Sequence, residues 1–164
     1  HRVVADAIGV TLPTPEEKEE EGHTFADQDL SLLAAAPDKF VDGLGRYGLY
    51  TGEKLLGAVY QPAVWKQNLI TFDEQLIPNT LVALTAASVL ILTEESALVR
   101  KSEQFGLIIT RLPRTAVTAV TAAAAEEPLQ ALTFSLAREG VSAEQSVLLS
   151  PEAAEAWLRL WNGQ

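Results

Sequence analysis

From Lys54 onward the chain is a series of short runs rich in β-branched residues, cut by turn signals every 8 to 12 residues or so. No pattern in the sequence narrows the fold further. Leu55 to Trp65 alternates, Thr80 to Leu84 and Val89 to Thr93 flank the turn Thr85-Ala86-Ala87-Ser88, and Phe105 to Leu112 stops at Pro113. Ala116 to Thr121 carries Val117 and Val120, and Leu129 to Leu136 pairs back with Gln145 to Leu149 across Arg138-Glu139-Gly140 as a hairpin. A different element closes the chain: Ser150 as cap, Pro151 at the first helical position, then Ala154, Trp157 and Trp161 at helical spacing up to Gly163. The expected fold is therefore mainly β (α+β): a seven-stranded antiparallel sandwich or barrel capped by a C-terminal amphipathic helix.

Composition bounds the function. The 164 residues, 48% hydrophobic and 21% charged, suit one soluble domain with a self-sufficient core. The absence of Cys removes thiol catalysis, disulfides and thiolate metal sites. A net charge of −10 repels nucleic acid and anionic lipid, and neither half is basic: residues 1–52 carry −6 and residues 53–164 carry −4. The uncharged stretch Gln75 to Thr93 is divided by Pro78-Asn79-Thr80, so no membrane span is expected. No signal peptide precedes the domain in these residues, and the expected location is cytoplasmic. A start at His1-Arg2-Val3, with no Met anywhere, reads as a processed or excised piece of a longer protein.

Residues 1–50 read as an N-terminal extension and residues 51–164 as the β-rich domain. Pro13 to Glu21 is an acidic linker, and Thr24-Phe25-Ala26-Asp27 fits a helix-capping pattern ahead of Leu30, Leu32 and Leu33, with Pro37 as the stop. A short second turn, Asp38 to Leu44, follows. Gly43, Gly45, Gly48 and Gly52 then read as a hinge. The literal G-x-G-x-x-G at Gly43 to Gly48 lacks a preceding strand and a following helix, so a flexible linker is expected there, not a dinucleotide site. Phe25, Leu30, Leu33, Phe40, Val41 and Leu44 must cover something, either the chain's own sandwich or a neighbour's.

No catalytic residues, metal ligands or cofactors are expected. His23 beside Glu19, Glu20 and Glu21 is a poor cage, no Gly-x-Ser-x-Gly elbow is present, and Glu94-Glu95 and Glu126-Glu127 read as solvated turns. The densest basic group is Arg100 and Lys101 with Arg111 and Arg114, which would take any docking anion. Its plainer reading is internal pairing with Glu94, Glu95 or Glu103. Trp65, beside Lys66, is a candidate surface anchor for a partner, with a core position as the favoured alternative.

Several phrases resemble the bacterial members of the pleckstrin-homology-like (PH/GRAM-like) superfold. Gly52-Glu53-Lys54-Leu55-Leu56 looks like the family's opening, Leu81 to Leu92 like its central hairpin, and Leu112-Pro113-Arg114-Thr115-Ala116-Val117-Thr118-Ala119-Val120 like a later strand entry. Ala86 and Ser88 stand where the family often carries Asp and Arg. The resemblance spans about Gly52 to Gly163 and implies a non-catalytic interaction or scaffold module. Phosphoinositide-binding relatives place several Lys and Arg after the first strand. Here Trp65 to Asn79 offers Lys66 alone against Asp73 and Glu74, so specific anionic-lipid binding is not expected. Other relatives bind peptides along an open strand edge or assemble into oligomers, which makes a protein partner or a homo-oligomer the expectation. A lipid- or small-ligand-binding domain is the alternative, and an enzyme with an unrecognised carboxylate site ranks below it.

Overall fold

Two hydrophobic strands set the architecture: Thr80–Thr85 and Ser88–Glu94 are buried along nearly their whole length, on both faces. A strand like this needs cover above and below. The chain supplies it from two directions in the computed structural model, which describes residues 2–4, 25–66, 74–95, 106–125 and 128–164.

The strands are β1 (Arg2–Val4), β2 (Leu55–Gln61), β3 (Val64–Lys66), β4 (Glu74–Ile77), β5 (Thr80–Thr85), β6 (Ser88–Glu94), β7 (Leu107–Pro113), β8 (Val117–Ala124), β9 (Gln130–Arg138) and β10 (Val141–Leu149). The helices are α1 (Asp27–Leu32), α2 (Asp38–Gly43), which runs into a π turn at Leu44–Gly48, and α3 (Pro151–Asn162). The first sheet has the order β1-β7-β6-β5-β2, the second β10-β9-β8, and β3 and β4 form a separate two-stranded arm. Seven strands thus build two antiparallel meanders, β2-β5-β6-β7 and β8-β9-β10, with α3 after the last. The fold is mainly β, with a C-terminal helix and N-terminal helices. Three short strands are additional. Pro62 has no N–H for a ladder, so the expected single strand Leu55 to Trp65 is split into β2 and β3, and β1 adds to β7 in parallel.

The two sheets share one core. Val82, Leu84, Val89, Ile91 and Leu112 face Leu132, Phe134, Leu136 and Leu149, and Ala153, Ala154 and Trp157 of α3 complete the cluster. Ser150 caps α3 by accepting a hydrogen bond from the Ala153 N–H at 3.2 Å, with Pro151 at the first helical position. Gln61 fixes the helix start: its Oε1 accepts from the Ser150 N–H at 2.9 Å and its Nε2 donates to the Pro62 carbonyl at 2.8 Å. The β9-β10 hairpin turns on Glu139 (φ 50°) and Gly140 (φ 84°), the two positive φ values that a tight two-residue turn requires.

The other face of the first sheet is covered by the N-terminal helices of the same chain. Leu33, Phe40, Leu44 and Leu49 pack on Leu55, Leu81, Ala83, Leu90, Leu92, Leu107 and Ile109. The expected hinge is not found at Gly43 to Gly48. These residues continue α2 and form the π turn, with Gly43, Gly45 and Gly48 buried. The glycines permit close approach, since a Cβ on Gly43 would lie 2.5 Å from Leu107 Cδ1. Thr24 and His23 lie outside the described residues. The α1 start is instead Ala26, whose N–H donates to Asp29 Oδ2 at 3.4 Å. Among the described residues, no helix is long and apolar enough to cross a membrane.

Candidate functional site

The polar groups with most chemical potential are tied to one another. Arg111 of β7 donates to both carboxylate oxygens of Glu53, at 2.7 and 2.8 Å, and to the Gly48 carbonyl at 2.7 Å, with its guanidinium 3.8 Å above the Tyr50 ring. Glu53 also accepts from Thr85 Oγ1 at 2.5 Å and from the Tyr50 N–H at 3.0 Å. Burial alone would push the Glu53 carboxyl up. The hydrogen bonds from Arg111, Thr85 and Tyr50, with the Arg111 charge, hold it below its ordinary value. A carboxylate saturated in this way fastens the π turn to the sheet and is no free base.

A second cluster pins α2. Glu94 is bonded by Lys39 Nζ and Asn79 Nδ2, while Asn79 Oδ1 accepts from Tyr60 Oη and the Ala63 N–H, each at 2.8 Å. Glu94 is therefore not in a solvated turn. It is buried at the end of β6, while its neighbour Glu95 is exposed. The internal pairing expected for the basic group also has other partners: Arg111 takes Glu53, and Glu94 takes Lys39. Glu53 escapes a reading of the sequence because it lies in the turn before β2, far along the chain from β7.

Arg111 and Arg114 do not converge. Arg111 faces the π turn, whereas Arg114, in the short 3-10 turn Arg114–Ala116, lies 5.5 Å from the Trp161 ring on α3. Arg100 and Lys101 lie outside the described residues. Trp65 is 49% exposed, so the favoured core position is not realised and the side chain stands on the surface. Lys66 is exposed beside it, opposite Glu74 in the β3-β4 register.

A different feature has no strand partner among the described residues: the outer edge of β8. β8 pairs with β9 on one side and ends the second sheet on the other. Its register shifts once, between Val117 and Ala119, and is regular from there to Ala124. Val120 and Ala122 turn inward against the core, whereas Thr118, Ala119, Thr121, Ala123 and Ala124 are exposed. No charged residue occurs from Thr115 to Ala125. Proteins usually blunt such an edge with charge, proline or cover. The other ends of the two larger sheets differ: β10 carries Glu144 in mid-strand, β2 is packed by α1 as well as by α3, which also contacts β8, and β1 occupies the edge of β7. Arg114 stands at the head of β8, half buried against Trp161, with no carboxylate partner among the described residues. The uncharged run is visible in the sequence, but that it borders an open edge depends on the strand order.

Comparisons of the chain with family models, curated proteins and solved structures each returned no match.

Proposed function

We propose that this chain is a non-catalytic interaction module of PH-like fold that engages another polypeptide as a strand added to the free edge of β8. The observation that carries the reading is an uncharged strand edge, in regular register from Ala119 to Ala124, with exposed small side chains and no strand partner among the described residues. Such an edge offers a row of N–H and C=O groups, and main-chain hydrogen bonds to an incoming strand supply affinity. Two meanders of four and three strands followed by one helix support the PH-like assignment. The non-catalytic part is supported by the way Glu53, Arg111, Glu94 and Gln61 are consumed by internal bonds.

The test is selection of binders to the full chain from a displayed library of random peptides, followed by titration against the Thr121→Lys variant. The proposal expects selected peptides to bind as extended strands, to protect the β8 amides from hydrogen exchange, and to lose affinity at least tenfold or so on Thr121→Lys. Binders indifferent to Thr121→Lys, or protection confined to other strands, would overturn it.

A further inference from the structure

Independently of the β8 edge, we infer that the end of α3 is a self-modification site, where Asn162 cyclises onto the Gly163 nitrogen, loses ammonia and is converted by water to aspartate and isoaspartate. With no Cys and no Met, the chain lacks the sulfur side chains that take up oxidative marks. Asparagine is a side chain that reacts with its own backbone, and the chain has three, at positions 68, 79 and 162. Each is attacked by the backbone nitrogen of the residue that follows, so the neighbour decides which one reacts. Leu69 follows Asn68 and the β-branched Thr80 follows Asn79, whereas Asn162 precedes Gly163, which has no Cβ to crowd the closing ring. The fold separates Asn79 and Asn162 further. Asn79 is locked: its Oδ1 accepts from Tyr60 Oη and the Ala63 N–H, each at 2.8 Å, its Nδ2 donates to Glu94, and Thr80 is buried in β5. Asn162 and Gly163 are both exposed, at the last turn of α3.

One bond guards the reaction. The Gly163 N–H donates to the Arg159 carbonyl at 3.1 Å, which holds the nitrogen in the helix and away from the side chain it would attack. That bond closes the last turn, at a helix end where carbonyls lack intrahelical partners and fraying costs little. In the frayed turn the Gly163 nitrogen gives its proton to solvent base and attacks Asn162 Cγ. The new N–Cγ bond forms, the Cγ–Nδ2 bond breaks, and the leaving nitrogen takes a proton from water and departs as ammonia. Water then opens the succinimide at one of its two carbonyls, giving aspartate, or isoaspartate when the backbone is left running through the side-chain carbon. Either product adds a negative charge where the helix dipole is already negative, which weakens the last turn. That turn carries Trp161, the ring beneath Arg114, so the mark loosens the tie between α3 and the head of β8 while Trp157 stays buried in the core.

The test is storage of the full chain at mildly alkaline pH, followed over time by anion exchange and peptide mapping, with the Asn162→Asp chain as the standard for one product and a peptide of residues 158–164 as the unfolded reference. Expected is a more acidic species whose change maps to Asn162, part of it isoaspartate that accepts a methyl group from an isoaspartyl methyltransferase. Gly163→Ala is expected to slow its appearance about tenfold, because a Cβ crowds the closing ring. Hydrogen exchange of Asn162→Asp is expected to be faster at the last turn of α3 and unchanged around Trp157. Circular dichroism of each variant separates a local change from loss of fold. A folded chain that stays unmodified while the peptide is fully converted overturns the proposal by showing that the helix bond suffices to protect the site. Conversion at Asn68 or Asn79 ahead of Asn162, or a rate indifferent to Gly163→Ala, overturns it as well.

Discussion

Glu53 fastens the N-terminal helices to the sheet, and its energetics have a definite sign with pH. Its carboxylate is more acidic in the folded chain than in an unfolded one, so it contributes stability above the unfolded value, near pH 4.3 or so, that is lost as the pH falls through the folded value. Thermal unfolding between about pH 6 and pH 2 should therefore show a steeper acid loss in the wild type than in Glu53→Gln, which lacks the titrating group. At neutral pH the same substitution leaves Arg111 buried without its counter-charge, at a cost of roughly 3–5 kcal/mol in chemical denaturation. Equal pH slopes for the two proteins would show that Glu53 is not the group that matters. A second residue acts by having no side chain: a Cβ on Gly57 would meet Leu160 Cδ1 at 2.5 Å and Cδ2 at 2.7 Å. Gly57→Ala should displace α3 from β2 and cost about 1–3 kcal/mol, measured by denaturant unfolding.

At the scale of elements, α3 holds both sheets together through Trp157, which is fully buried and meets Phe134 edge-on at 6.0 Å between centroids. Trp157→Ala should cost roughly 3–5 kcal/mol by denaturant unfolding. Trp157→Phe should cost clearly less, because it keeps an aromatic ring against Phe134 and removes an indole N–H that has no hydrogen-bond partner among the described residues. This helix is legible in the sequence because its signals are local: the Ser150 cap, the following proline and the indole spacing all lie within one segment. The Arg138-Glu139-Gly140 hairpin is legible for the same reason. What is not legible depends on distant partners. The glycines from Gly43 to Gly48 look like a hinge in the sequence, since the Leu107 and Leu92 side chains that crowd Gly43 are delivered by distant strands. Trp65 looks like a core residue as long as the alternation from Leu55 runs on through Pro62, whereas the break there moves it onto a separate arm. The candidate edge is half legible: its lack of charge is a sequence property, but that it has no strand partner among the described residues follows from strand order.

For the whole molecule, the consequence lies in how unequally the two sheets are covered. The first sheet is buried on both sides, by the second sheet and α3 on one and by the N-terminal helices on the other. The second sheet has a packed inner face, while its outer face shows Thr121, Thr133, Ser146 and Glu144. Removing residues 1–50 should therefore act on the first sheet. It would expose Leu81, Leu90, Leu92, Leu107 and Ile109, which form one contiguous apolar surface beneath Phe40 and Leu44, and would strip Arg111 of its Gly48 and Tyr50 contacts. A patch of that kind drives association in water. The truncated chain, residues 51–164, should aggregate or bind a hydrophobic dye strongly, and should unfold at a lower temperature than the full chain. Adding back a peptide of residues 25–50 should reverse both effects in proportion to its concentration, since it binds only the folded form. A truncated chain that is soluble, free of dye and unchanged in unfolding temperature would mean that the helices add nothing to the sheet they cover, and that apolar burial is not what holds them against it.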